Sequence, residues 1–214
     1  MSETRRSFLT QVGTGVTAFG AGAAITIPVA TAQSVGGAPR FQATRHEQDD
    51  WLDKIPGQHR LVFDTTQPAG MGSALQYGGN YYSANQSSYG LQNADLAVVI
   101  IARHQSTPFA YNEAMWAKYG EPISNFIDRT KEPSKTNTYG RQLTTMIGRG
   151  AHLGVCQMAT RAIAGSIARA VSANTDDIFN ELAANLLPNS HLVAAGIVAV
   201  GRAQERGYAL VVTA

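Results

Sequence analysis

Two side chains with reactive groups lie where apolar segments of the chain end. Cys156 ends the apolar segment 151–156, and His104 directly follows the segment 96–103. A segment of helical periodicity begins right after Cys156, and the positive end of a helix dipole stabilises a thiolate relative to a thiol. Cys156 is therefore a candidate nucleophile, and His104 is a candidate general acid or base. The alternatives are structural: a small core residue at position 156 and a capping, space-filling residue at position 104.

His152 and Arg161 are candidates for a supporting role. Strand alternation places His152 on the same face as Cys156, and Arg161 on the following helix would add positive charge near the thiol. A hydrogen-bonded core histidine and a solvated helix residue are the structural alternatives. Cys156, His104 and His152 have the ligand types of a copper or zinc site, but their spacing does not demand one. We therefore predict neither a metal nor a cofactor.

The elements that must position these side chains are predicted to alternate between strand and helix. Short β-rich or apolar segments occur at 60–64, 94–102, 151–156, 190–195 and 208–213. The second of them is apolar at consecutive positions, which is typical of a strand buried on both faces of a parallel sheet. Segments of helical period separate the five strands, so we predict a three-layer α/β/α fold with a five-stranded parallel sheet. Ligands of such sheets bind at the carboxyl ends of the strands, where Cys156 and His104 fall.

The region between the second and third strands contains strong helix signals followed by helix breakers. Thr107 and Pro108 form a suitable cap and first turn for a helix through Trp116, with Gly120 as its stop. Pro122 keeps that helix from resuming. We expect a long loop over residues 122–139, with the role of a lid or an oligomer contact.

The composition excludes several classes of protein. Of 214 residues, 44% are hydrophobic and 15% are charged, and the net charge is +2. The charged fraction is below the roughly 25% of an average soluble domain, which favours a homo-oligomer or another partner. Because no cluster of Lys and Arg is present, an electrostatic nucleic-acid binder is excluded. Cys156 is the only cysteine, so an intramolecular disulfide framework and a cysteine-rich metal cage are excluded as well.

The first 32 residues are predicted to be an export signal. Arg5 and Arg6 precede a mildly apolar, glycine-rich stretch that ends at Ala32, which is typical of twin-arginine (Tat) signal peptides. A transmembrane anchor is the alternative, but the glycines and threonines leave no strongly apolar run of about 20 residues. We therefore divide the chain into a Tat signal peptide at 1–32, a linker and lead-in at 33–57, and a domain at 58–214. This division predicts export by the Tat translocase to a periplasmic or secreted location.

Three blocks of the sequence resemble the DsrE/DsrF (YchN-like) family. They cover residues 94–104, 150–159 and 196–208, and the similarity extends over about residues 58–214. The resemblance implies a compact α/β/α protein that assembles into trimers or hexamers. Several members relay sulfur between partner proteins as a cysteine persulfide. The acceptor cysteine of the family corresponds to Cys156, and a histidine that commonly ends its second strand corresponds to His104.

Two departures from the family bear on function. Familiar sulfur relays of the family are cytoplasmic, whereas this chain begins with an export signal, and the excursion at 122–139 is long. We therefore expect an exported DsrE-like sulfur carrier or sulfurtransferase-type protein with a sulfur donor or acceptor protein as partner. The alternative is a non-catalytic periplasmic binding or assembly module on the same scaffold. A serine hydrolase is a distant third, because the sequence contains no Gly-x-Ser-x-Gly elbow.

Overall fold

The computed structural model describes residues 42–213, which alternate between strands and helices. The strands are β1 (His59–Thr65), β2 (Leu96–Ala102), β3 (His152–Cys156), β4 (Ser190–Val193) and β5 (Ala209–Thr213). The helices are α1 (Trp51–Lys54), α2 (Pro68–Tyr89), α3 (Glu113–Ile127), α4 (Gly140–Gly148), α5 (Gln157–Val171), α6 (Thr175–Ala184) and α7 (Gly196–Gln204). Short 3-10 helices occur at Glu47–Asp49, Asn93–Asp95 and His104–Ala110.

The five strands form one parallel sheet in the order β4-β3-β2-β1-β5. From β1 to β4 the chain steps outward in one direction, and the last connection returns across the sheet to place β5 beside β1. Because parallel crossovers are right-handed, the return helix α7 must lie on the opposite face from the helices of the outward steps. The predicted three-layer α/β/α fold with a five-stranded parallel sheet is confirmed.

The central strand β2 has buried side chains on both faces, as its consecutive apolar residues predicted. Val98 and Ile100 point into a large core shared with α2, α3, α4, α5 and α6. Val99 and Ile101 point into a smaller core shared with α1 and α7. Alternation along one strand therefore divides the protein into two apolar cores, one on each face of the sheet.

The helix predicted to begin at Thr107 begins later. The structure has a 3-10 helix at His104–Ala110, and α3 starts at Glu113. Asn112 caps α3, since its side-chain oxygen accepts a hydrogen bond from the Met115 amide at 3.2 Å. Asparagine is among the best N-cap residues. The α-helix therefore starts after Asn112, and Thr107 and Pro108 lie in the preceding 3-10 helix.

The prediction of a loop from residue 122 is wrong for its first part. Helix α3 continues through Pro122 to Ile127, and irregular chain occupies only 128–139. The reason is a break at Tyr119, whose φ of −122° and ψ of 21° leave the helical region. A second helical segment starts after this break, and proline is tolerated in a first turn because its missing N–H has no acceptor there.

The segment expected to be a linker and lead-in contributes to the core from α1 onward. Leu52 is completely buried, and its carbonyl oxygen accepts a hydrogen bond from the Tyr208 hydroxyl at 2.7 Å. Asp53 accepts a hydrogen bond from Arg206 at 3.0 Å. The predicted signal peptide at 1–32 and the start of the linker lie outside the described residues. Among residues 42–213, no helix is both long and apolar enough to cross a membrane.

Candidate functional site

Cys156 lies where the sheet changes the direction of its connections. The chain leaves β3 for α5 on one face of the sheet, and it leaves the neighbouring β4 for α7 on the other face. Cys156 is the last residue of β3 and is in register with Val193, the last residue of β4. In open parallel sheets, two neighbouring connections that leave on opposite faces open a crevice between the helix N-termini, at the carboxyl ends of the strands. We call the region between the ends of β3 and β4 the switch crevice.

The thiol of Cys156 is bound to the first turn of α5. Its Sγ accepts a hydrogen bond from the Ala159 amide at 3.5 Å, so Cys156 is the N-cap of this helix. The Cys156 carbonyl oxygen accepts a hydrogen bond from Thr160 at 3.0 Å, and Thr160 accepts one from the Tyr111 hydroxyl at 3.2 Å. Burial raises the pKa of Tyr111, which keeps its hydroxyl protonated as a donor. The residue is 7% exposed, so these contacts hold the sulfur atom just beneath the surface.

An ion pair between Asp64 and Arg103 lies on the same face of the sheet as the thiol. Arg103 donates from Nε to Oδ1 at 2.7 Å and from Nη2 to Oδ2 at 2.9 Å. Ala102 is in register with Val155, so Arg103 follows β2 at the level of Cys156. The hydrogen bonds to Asp64 chiefly raise the pKa of Arg103, and the negative charge of an ionised Cys156 contributes a smaller part. The guanidinium is therefore a permanent positive charge beside the crevice.

Gly196, the first residue of α7, packs against the aliphatic part of the Arg103 side chain. A Cβ atom at Gly196 would lie 2.6 Å from Arg103 Cβ and 2.8 Å from its Cδ, so only glycine leaves room for the stem. Arg103, Asp64 and Gly196 were not identified as site residues from the sequence. A usable signal was present, because Asp64 and Arg103 are charged residues at the ends of buried strands in a chain poor in charge.

His104 follows Arg103 but points away from the buried edge. It is exposed and has a φ of 52°, in the left-handed region that disfavours residues other than glycine. The flanking loop holds it there, since the Ser106 hydroxyl donates to Thr65 O at 2.8 Å and accepts from the Arg103 amide at 3.0 Å. The structure thus places His104 at the carboxyl edge of the sheet as a solvent-accessible residue, directly after Arg103.

His152 lies at the other end of β3 from the thiol. Its Nδ1 is 2.9 Å from Nε2 of His191, and Trp51 stacks on the His191 ring at 4.0 Å. The length of β3 puts about 13 Å between the first and last residues of the strand. The hydrogen-bond partner of His152 is thus His191, a histidine to which the sequence assigned no role, and His152 does not contact the thiol directly.

Arg161 binds the neighbouring helix. Its Nη1 lies 2.8 Å from Oδ1 of Asp176, and its guanidinium covers the Phe179 ring at 4.1 Å. These contacts join α5 to α6 on the outer surface. The sequence predicted that Arg161 adds positive charge near the thiol. In the structure, Arg103 also places a positive charge there, at the end of the neighbouring strand β2.

The described part of the chain shows no cluster of three or more His, Cys, Asp or Glu side chains that could hold a metal ion. Exposed apolar side chains instead flank the switch crevice: Met158 in the first turn of α5 is 69% exposed, and Ile197 in the first turn of α7 is 62% exposed.

No protein-family model and no curated protein matches the chain. Solved structures that match include a protein of unknown function, MTH1491, from Methanobacterium thermoautotrophicum. It is 15% identical, with a TM-score of 0.42, and the match covers 72% of this chain and 99% of that one.

Proposed function

We propose that this protein is an exported DsrE-like sulfur carrier, in which Cys156 accepts a sulfane sulfur atom as a persulfide. The observation that carries the proposal is the environment of the Cys156 sulfur at the switch crevice. It receives the Ala159 amide at the start of α5, and the Arg103 guanidinium lies on the same face of the sheet. A helix N-terminus and a nearby guanidinium are the surroundings in which proteins commonly place reactive cysteines. The three sequence blocks that resemble the DsrE/DsrF family support the same function.

The proposed step needs only a thiolate and a donor with a weak sulfur–sulfur bond. The Cys156 thiolate attacks the terminal sulfur of the donor, the sulfur–sulfur bond of the donor breaks, and the leaving group takes the bonding electron pair. The charge that the thiolate brought departs with the leaving group, and the product persulfide keeps the charge state of the donor's terminal sulfur. In this scheme His104, as an exposed imidazole at the same edge, passes a proton to a leaving thiolate.

A carrier must hand its sulfur atom to a second protein, and the surroundings of the thiol suit such a contact. Met158 and Ile197 are exposed apolar residues in the first turns of α5 and α7, the two helices that begin at the switch crevice. The low charge content of the chain also favours association. We propose a homo-oligomer that receives sulfur from, or gives it to, a partner protein at this surface.

The proposed location follows from the twin-arginine segment. Protein recovered from the periplasm or the medium is expected to begin at Gln33, as N-terminal sequencing would show. Replacing Arg5 and Arg6 together by lysine is expected to leave the precursor inside the cell. Export of the doubly substituted chain at the normal level would contradict a Tat signal.

The sulfur-carrier proposal is tested by intact-protein mass spectrometry after incubation with polysulfide. We expect one added sulfur atom on the native protein, removed by a reducing agent and absent from the Cys156→Ser variant. A native protein that gains no sulfur at Cys156 would overturn the proposal. The matched serine variant controls for sulfur bound elsewhere, because its hydroxyl oxygen can replace the Cys156 sulfur as the N-cap acceptor.

The burial of Cys156 favours a second candidate, a non-catalytic binding or assembly module. With 7% of the residue exposed, the thiol could be a packing residue that no donor reaches. This candidate predicts that iodoacetamide labels Cys156 only as fast as the native protein opens. It also predicts that Cys156→Ser supports the same phenotype as the wild-type chain.

A further inference from the structure

The Asp64–Arg103 ion pair is largely removed from water. The carboxylate side chain is 5% exposed and the guanidinium side chain 19% exposed, so both charges have lost most of their hydration. The attraction within a buried pair often fails to exceed this desolvation cost, and apolar residues of similar volume commonly do as well. An ion pair at the carboxyl edge of a parallel sheet, next to a thiol, therefore calls for a functional explanation.

The geometry of the pair leaves part of the guanidinium unused. Nε and Nη2 of Arg103 both donate to Asp64, which fixes the plane of the guanidinium group. Among residues 42–213, Nη1 of Arg103 makes no hydrogen bond, although a guanidinium carries five N–H donors. The remaining exposure of the side chain lets an external acceptor reach it. Asp64 thus orients Arg103 and leaves one nitrogen free to bind an anion.

We propose, on the basis of the sulfur-carrier function above, that Arg103 is the receptor for an oxyanion group of the sulfur donor. The site would then take anionic donors of the thiosulfate class in preference to uncharged ones. Arg103 is the specificity-determining residue in this scheme, and Asp64 positions it.

The chemistry explains why a cation is needed at this place. The Cys156 thiolate attacks the outer sulfur of thiosulfate, the sulfur–sulfur bond breaks, and sulfite leaves with the electron pair. The total charge of the reactants is carried over to the persulfide and sulfite. A thiolate and a dianion repel each other as they approach, and a fixed guanidinium offsets this repulsion and binds the sulfonate oxygens by charge-assisted hydrogen bonds.

The test compares an anionic donor with a neutral reagent that reacts with the same thiol. Thiosulfate transfers its outer sulfur atom with loss of sulfite, and methyl methanethiosulfonate transfers a methylthio group with loss of methanesulfinate, but only thiosulfate is charged. Rates of Cys156 modification are followed by mass spectrometry. The main variant is Asp64→Asn with Arg103→Gln, which removes both charges and leaves no buried carboxylate without a partner. Arg202→Gln, which removes a partly buried arginine from the C-terminal end of α7, is the matched control.

We expect the double variant to react about tenfold more slowly with thiosulfate, the size of effect typical of losing a hydrogen bond to a charged group. Its rate with methyl methanethiosulfonate should stay within about threefold of wild type, and Arg202→Gln should change neither rate. Arg103→Lys, which keeps the charge but loses the fork geometry, should give an intermediate rate with thiosulfate.

Two results would overturn the inference. One is an equal fall with both reagents, and the other is a wild-type protein that thiosulfate does not modify. If polysulfide still adds one sulfur atom to the wild-type protein in either case, only the role of Arg103 is lost. If polysulfide adds none, the sulfur-carrier function itself fails. Thiosulfate binding to Cys156→Ser, measured by calorimetry with and without the Asp64 and Arg103 substitutions, gives a readout that needs no turnover.

Discussion

At the scale of single residues, Cys156 combines a structural role with a candidate chemical one. It occupies the N-cap of α5, a position that serine, threonine, aspartate or asparagine fills more effectively. Its sulfur receives the Ala159 amide at 3.5 Å, a long contact to a weak acceptor. A requirement for capping alone would be met better by serine, so the cysteine at this position favours a use for the thiol.

This reasoning predicts a stability order at position 156. Cys156→Ser should retain the free energy of unfolding to within about 1 kcal/mol, because the hydroxyl oxygen can accept the same amide. Cys156→Ala should lose about 1 kcal/mol, because the first turn of α5 loses its cap. Urea denaturation measures both. A serine variant that loses more than about 2 kcal/mol would mean that the sulfur acts mainly as an apolar packing atom.

The paired histidines predict how stability depends on pH. Burial, together with the charge of His152, lowers the pKa of His191 to about 4, and burial also lowers the pKa of His152. The unfolded chain therefore binds more protons than the folded one between the ordinary histidine pKa near 6.5 and about 4. The free energy of unfolding should be highest above about pH 6.5 and should fall as the pH drops from there towards about 4.

Urea midpoints measured from pH 7.5 to pH 4 would check this, with His191→Gln as the comparison. The variant removes the titrating group with the larger shift, so its midpoint should fall less steeply over the same range. Identical pH profiles for the two proteins would show that the pair contributes nothing to the acid sensitivity.

At the scale of elements, helix α3 shows a glycine whose role depends on a distant segment. Gly120, predicted to stop the helix, directly follows the break at Tyr119, and the chain at 134–135 crosses α3 there. A Cβ atom there would overlap the Ser134 carbonyl oxygen and lie 2.9 Å from the Lys135 Cα. Both are backbone atoms, which cannot rotate away as the end of a side chain can.

Gly120→Ala is therefore expected to destabilise the protein by about 2 kcal/mol, because either α3 or the crossing segment must shift. Gly79→Ala in the middle of α2 is the control, since a Cβ atom there meets nothing within 4 Å. It should be neutral or stabilise by about 0.5–1 kcal/mol through the higher helix propensity of alanine. Thermal unfolding of both variants gives the comparison, and equal effects would contradict the close approach.

At the scale of the whole molecule, part of the segment predicted as a linker and lead-in packs against the sheet. Helix α1 seals the smaller core with Leu52 and Ile55, which are both buried. The Leu52 carbonyl oxygen also accepts hydrogen bonds from Tyr208 and, at 3.0 Å, from Arg60. This short helix thus covers the face of the sheet that α7 alone leaves open.

A chain that starts at residue 58 should therefore be less stable than one that starts at residue 42. Burial of two large aliphatic side chains is worth about 2 kcal/mol each, so we expect a loss of at least about 3 kcal/mol. Chemical denaturation of the two truncated chains measures the difference. Equal midpoints would mean that α1 contributes little to the fold.

The sequence by itself determined the strands, the fold class and the position of Cys156 between a strand and a helix. These features depend on local patterns: apolar residues at consecutive positions, helical spacing, and turn residues between them. Only the tertiary structure decided that His152 pairs with His191, that Arg103 pairs with Asp64, and that α3 continues through Pro122. Each of these three features depends on which distant segments of the chain become neighbours. The order of strands in a sheet and the crossing of one segment over another produce no periodic pattern in the sequence.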